Sequence, residues 1–285
     1  MTNIFATISV STIEELNNVI QNDILGNIKF SGASKHFRGQ SSTEFVLQTR
    51  IASTFPDPAT VQIKANQIFN SLRQKLRAAK LTSEIFVADM NQGLYEKVYY
   101  TVFQAQHLGI PTPFMDWSFN WRNALYFAIE NEYFIDKPGQ LWVMLRPYYQ
   151  QDNVFSLNPY YLEEDFLINA AYDAHAELEK FLGEKRRHNQ AGQFYVLPHD
   201  NCVEPMETNK SLRDASLLLI EIQPSLKQQI YELREKTVDD ELINLMRSLR
   251  LDFKRYDNNS IYGNMTDELK AVVNSVRSEF GFSTL

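Results

Sequence analysis

The 285 residues are enough for one large domain or two small ones, and a hydrophobic share of 44% supplies ample material for a packed core. A net charge of −7 argues against a protein that coats nucleic acid through bulk charge, while leaving room for a local basic groove. The single cysteine, Cys202, excludes a disulfide framework within the chain and points to a reducing compartment and a buried, inert thiol. The first residues, MTNIFATISVSTIEELNNVI, have no basic segment followed by a long apolar stretch. No run of about 20 apolar residues long enough to span a bilayer occurs. The default expectation is a cytoplasmic protein without a membrane partner.

In chain order, Thr12 with Glu15 has the form of a capping box, and Ile13, Leu16, Val19 and Ile20 then share one helical face. The stretch NIKFSGASKHFRGQSS has short apolar runs broken by Gly32 and Gly39, a pattern of strands and turns. Asp57-Pro58 opens a helix that carries Ala65, Ile68, Phe69, Leu72, Leu76 and Ala79 at helical spacing. Tyr95, Val98, Tyr99 and Val102 continue in the same way. Asn120 is a candidate N-cap for a helix burying Trp121, Ala124, Leu125 and Ala128. After Pro138-Gly139, QLWVML reads as a buried strand, the region 161–182 as a helix, and QFYVL (193–197) and SLLLIEI (216–222) as strands. Thr237 with Asp240, and then Thr266, open two further helices. No repeat or low-complexity linker interrupts the chain. Residues 1–285 are therefore read as a single α+β domain with a mixed or antiparallel central sheet flanked by helices. Its motifs fall between about 30 and 200, and a helical part runs from about 225 to 285.

Three constellations carry chemistry. In His36-Phe37-Arg38-Gly39-Gln40, an arginine at a strand end precedes a flexible glycine and could grip a phosphate or carboxylate by a two-pronged hydrogen bond. Composition alone favours a structural ion pair there. The segment QAQHLGIPTPFMDWSFNWRNALYFA (104–128) sets Gln106, His107, Thr112, Asp116 and Asn120 among Gly109, Pro111 and Pro113. His107 is a candidate acid, base or hydrogen-bond donor, against the commoner role of bracing a loop. Asp116 is expected to cap the helix that follows, and Trp117 to pack. The third, Arg187-His188-Asn189-Gln190-Ala191-Gly192-Gln193-Phe194, puts a cation, amides and a glycine before a strand. No cysteine pair or HExxH pattern points to zinc, so no metal is expected. No GxxxxGK[ST], GxGxxG or GxSxG pattern occurs either. Glu163-Glu164-Asp165 and Asp239-Asp240-Glu241 read as solvated helix faces.

Taken together and in this order, the three blocks resemble the FRG domain family. Phe37-Arg38-Gly39 matches the motif that gives the family its name, extended by Gln40. The second block resembles QHxGxPTRLLDWT followed by an ALYFA-type helix, matched by Gln106-His107, Gly109, Pro111-Thr112, Asp116-Trp117 and Ala124 to Ala128. The third, R-x-x-Q-x-G-x-F, is matched by Arg187, Gln190, Gly192 and Phe194. Two positions depart from the pattern: Pro113 stands where the family has arginine, and Ser118 where it has threonine.

The resemblance implies an architecture similar to ADP-ribosyltransferase-like folds and an effector or toxin acting in phage defence or a toxin–antitoxin system. NAD would be the substrate. Arg38, Gly39, Gln40 and Arg187 would hold it, with Arg38 on the phosphates or ribose. His107 or Thr112 would orient the nicotinamide ribose, and Gln190 or Gln193 would face the acceptor. Glu44 and Glu204 are candidates for the acid that stabilises developing charge. The partners implied are a protein or nucleic-acid acceptor and an antitoxin or phage protein. The alternatives are a non-catalytic module that recognises a nucleotide, nucleic acid or protein, and a metal-independent nuclease using His107.

Overall fold

The computed structural model describes residues 4–81, 102, 105–106, 109–147, 166–168, 192–197, 199–210, 212, 215–235 and 267–284. Its elements begin with β1 (Ile4–Val10), α1 (Ile13–Asn18), β2 (Ala33–Gln40), α2 (Arg50–Thr54) and α3 (Pro58–Ala78). They continue with β3 (Phe114–Ser118), α4 (Trp121–Ile129), β4 (Gly139–Pro147), β5 (Phe166–Ile168) and β6 (Gly192–Val196). The last are β7 (Ser216–Ile222), α5 (Pro224–Glu235) and α6 (Asp267–Glu279). The architecture is α+β with a mixed sheet, as the element pattern predicts. By internal contact the chain divides into two compact units. One comprises Met1–Leu47, Trp117–Gln150 and Arg213–Ile261, the other Gln48–Asp116, Gln151–Leu212 and Tyr262–Leu285.

In the first unit the strands run β1-β7-β4-β2. β1 is parallel to β7, while β7–β4 and β4–β2 are antiparallel. Phe37 of β2 also pairs with Ser118 at the end of β3, so β2 has a neighbour on each side. Alternation assigns one face of these strands to the core. Phe37, Leu141, Val143, Leu145, Leu218, Ile220 and Ile222 cluster there with α1, α4 and α5. The capping box is present: Glu15 N donates to Thr12 Oγ1 at 3.2 Å, and Ser11 N and Thr12 N donate to Glu15 Oε2 at 2.7 and 3.3 Å. The predicted face Ile13, Leu16, Val19 and Ile20 is buried. Past Asn18 the helix widens into a π-helical stretch, Val19–Leu25.

Helix α4 lies directly against the sheet because two strands present glycine to it. A Cβ at Gly39 would stand 1.7 Å from the Ala124 carbonyl oxygen, and one at Gly139 would stand 2.4 Å from that of Ala128. Ala124 and Ala128 are one helical turn apart, so the small residues of the ALYFA segment meet the glycine of Phe37-Arg38-Gly39.

In the second unit, α3 starts as predicted, with Asp57 as N-cap and Pro58 at the first position. It packs on α6, where Lys75 pairs with Glu279 at 2.6 Å and Ser71 donates to Glu279 Oε2 at 2.8 Å. The helix expected over 161–182 is corrected in part: Phe166–Ile168 is a strand, antiparallel to β6. A short apolar run such as FLI fits a helix face and a buried strand equally well, and strand pairing decides between them. The helices expected around Tyr95–Tyr99 and Thr237–Leu249 lie outside the described residues. Cys202 is buried, and burial pushes its thiol up to about 11, which agrees with an inert side chain.

Candidate functional site

Strand β2 separates its residues by parity. Phe37 and Gly39 face the core, while His36, Arg38 and Gln40 lie on the opposite face. There they stand across from Met144, Trp142 and Gln140 of β4. Arg38 is half-buried as a residue, and its Nε is fully buried. His36 is 1% exposed, meets the Phe119 ring at a tilt with centroids 5.3 Å apart, and contacts Ser34 Oγ through Nε2 at 2.7 Å. The Ser34 hydroxyl donates its one proton to Arg146 O at 3.0 Å. With that proton used, the Ser34 oxygen is left to accept from His36 Nε2. Gln40 is engaged at both ends. Its Nε2 donates to Val46 O at 3.1 Å, and its Oε1 accepts from Trp142 Nε1 at 3.1 Å.

The loop after β2 is tied to the turn before β4. Thr43 N donates to Pro138 O at 2.9 Å, Lys137 pairs with Glu44 at 2.5 Å, and Phe45 meets Phe134 edge-on at 5.2 Å. Beneath them Lys227, on α5, is fully buried. Its Nζ donates to Ser41 O at 2.9 Å, to Lys137 O at 3.0 Å and to Phe134 O. Burial lowers its pKa to about 8, partly offset by Asp136. Sequence reading missed both His36 as a braced residue and Lys227 as a clamp. The available signal for Lys227 was a lysine on the same helical face as Ile230. Glu44, one of the two candidate acids, is committed to Lys137; Glu204, the other, is half-buried in the second unit.

The second block closes on itself. Gly109 has φ 78°, its N–H donates to Gln106 O at 2.8 Å, and Ile110 N donates to Ala105 O at 2.9 Å. This pair is a Schellman motif, which explains the glycine. The Thr112 hydroxyl donates to Gln106 Oε1 and accepts from Phe114 N at 3.2 Å. Thr112 is 2% exposed, so the hydrogen bonds seen for it brace its own loop. Pro111 and Pro113 are buried as well. The N-cap of α4 is Asn120, whose side chain accepts from Arg122 N at 3.1 Å. The expected Asp116 cap is thereby corrected: Asp116 is an exposed residue within β3, four positions before the cap. Trp117 is buried as expected.

Of the third block, Gln193 is buried in β6 and Phe194 packs on Phe114 of β3, with ring centroids 6.2 Å apart. His107, Arg187 and Gln190 lie outside the described residues. Among the described residues, no group of three or more His, Cys, Asp or Glu side chains is placed to hold a metal ion. No described helix is long and apolar enough to cross a membrane.

Neither a curated protein nor a solved structure matches the chain significantly. The third block, Lys227 and α6 all lie beyond the part of the chain with a family match. That part, which carries the Phe37-Arg38-Gly39 strand, the Gly109–Thr112 loop and α4, is residues 33–136, and it matches the FRG domain family.

Proposed function

We propose that the protein is an ADP-ribosyltransferase-like effector that holds NAD through Arg38 and transfers ADP-ribose to a protein or nucleic-acid acceptor. The observation that carries the reading is the setting of Arg38. It is half-buried on a strand paired on both sides, opposite Trp142. A guanidinium so fixed meets a diphosphate bidentately and loses little freedom on binding. In the reaction, the bond between nicotinamide nitrogen and ribose C1′ breaks and nicotinamide leaves with the electron pair. The acceptor's nucleophile bonds to C1′ and gives up its proton. The sugar carries positive charge in between, so rigid placement beside the phosphates supplies most of the catalysis. In this reading Arg187 assists Arg38, His107 and Thr112 orient the ribose, and Gln190 or Gln193 faces the acceptor. Action against phage, or under an antitoxin, belongs to the same proposal.

A second reading, a non-catalytic nucleotide-recognition module, draws support from the internal commitments of Gln40 and Thr112. One experiment separates them. The purified protein is incubated with labelled NAD and a lysate containing protein, RNA and DNA. Label transfer that disappears in Arg38→Ala is the expected outcome. Absence of transfer and of NAD loss, with nucleotide binding retained by calorimetry, sinks the transferase and favours recognition. Nucleotide release from RNA without NAD would point to a nuclease.

A further inference from the structure

The second-block loop is held from outside the family match. Arg277, on α6, is 1% exposed. Its Nε donates to Ser283 O at 2.6 Å and its Nη1 donates to Gly109 O. Arg50 reaches the same turn, donating from Nη2 to Ser283 Oγ at 3.1 Å.

Gly109 is the residue at which the helix containing Ala105 and Gln106 ends. In a Schellman motif the N–H groups of Gly109 and Ile110 turn back to the helix, while the glycine's own carbonyl needs a partner beyond it. A guanidinium suits that place twice over. Its fork reaches two carbonyls from one rigid plane, and its charge complements the negative end of the helix dipole. Burial lowers its pKa to about 10, with Arg50 adding to the shift, so the group remains charged at neutral pH. Three residues beyond Gly109, Thr112 ties back to Gln106. The Arg277 contact therefore joins α6 to a loop in which the bonds from Gly109 N, Ile110 N and the Thr112 hydroxyl are local.

We propose that Arg277 is a positioning residue. By holding the Gly109 carbonyl it fixes the loop through Thr112, and it makes α6 part of the functional unit although that helix lies beyond residues 33–136. The inference rests on the reading of this loop as the ribose-orienting part of the NAD site. Arginine holds the two carbonyls from separate nitrogens of one rigid plane, whereas a lysine there would have to reach both from a single ammonium on a flexible stem.

The test uses the full chain as wild type, Arg277→Met and Arg277→Lys, with two readouts. Amide hydrogen exchange is followed by mass spectrometry over residues 105–114 and over α3. In Arg277→Met, protection at Gly109 and Ile110 should fall about tenfold or more while α3 is unchanged. Arg277→Lys, which keeps one donor and the charge, should lie between. In the NAD transfer assay, kcat should fall about ten- to a hundredfold with KM for NAD nearly constant, because Arg38 still holds the phosphates. Unchanged exchange at 109–110 overturns the proposal, as does equal loss of protection in α3, the mark of general destabilisation. If Arg277→Met does not fold, Arg277→Lys decides by the same two readouts. Failure of wild type to turn over NAD removes the transferase reading, and exchange then judges the hold on the loop by itself.

Discussion

Strand β2 and the loop from Gly109 to Phe114 each carry a block of the same sequence pattern, and they spend their residues differently. On β2 the alternation of the strand divides labour. Phe37 and Gly39 build the core and the seat of α4, and this leaves Arg38 half-buried on the other face. In the loop nearly every residue is buried. Gly109, Gln106 and Thr112 are all used to close the backbone. Each region is also clamped by a buried cation donating to backbone carbonyls, Lys227 after β2 and Arg277 at Gly109. A strand can therefore set a charged side chain on the face away from α4 at little structural cost. A tight loop spends its polar groups first on its own closure.

The contrast can be broken first at Gly39. Gly39→Ala should destabilise the protein by about 3 kcal/mol in urea unfolding, because the added Cβ overlaps a helix carbonyl and the helix or strand must shift. A Gly39→Ala protein of wild-type stability would show that the seat of α4 does not require glycine. The next effect is at Lys227. Lys227→Met should cost about 2 kcal/mol at pH 7 by leaving three carbonyls without their donor.

The same lysine carries a pH signature. Its folded-state pKa of about 8 lies below the ordinary 10.5, so between these values the unfolded chain binds the proton and the folded chain does not. Wild-type stability should rise with pH across that window relative to Lys227→Met, by up to roughly 3 kcal/mol. A constant difference between the two unfolding curves from pH 7.5 to 10 would contradict the buried charge. The smallest effect tests the loop. Thr112→Val and Gln106→Leu should be coupled by about 1 kcal/mol in a double-mutant cycle on the ligand-free protein. Independent effects would mean that Thr112 does not brace the loop.

Much of the framework was legible before any coordinates. Local rules set the capping box at Thr12–Glu15, the Asp57-Pro58 helix start, the Asn120 cap and the strands at 139–147 and 216–222. Each depends on neighbours a few residues apart. The alternating edge strand IFATISV and the strand FMDWS escaped notice, and within the helical part expected from about 225 the role of Lys227 on α5 did too. Their assignment depends on pairing partners far away in sequence. Asp116 looked like a cap because acids favour helix starts; Asn120 holds that place because the chain stays extended through Ser118.

By itself the sequence determined the three blocks, their order and the residue types available for chemistry, since these are written in the chain. It also determined the helix caps, which are local hydrogen bonds. The tertiary structure decided which of those residues are already occupied. Gly39 is placed against α4, Thr112 and Gln40 are bonded internally, and Arg38 is half-buried on the opposite face of its strand. Occupancy is a property of distances between segments far apart in sequence. Lys227 donating to Ser41 across 186 residues, and Arg277 to Gly109 across 168, are pairings that no local pattern encodes.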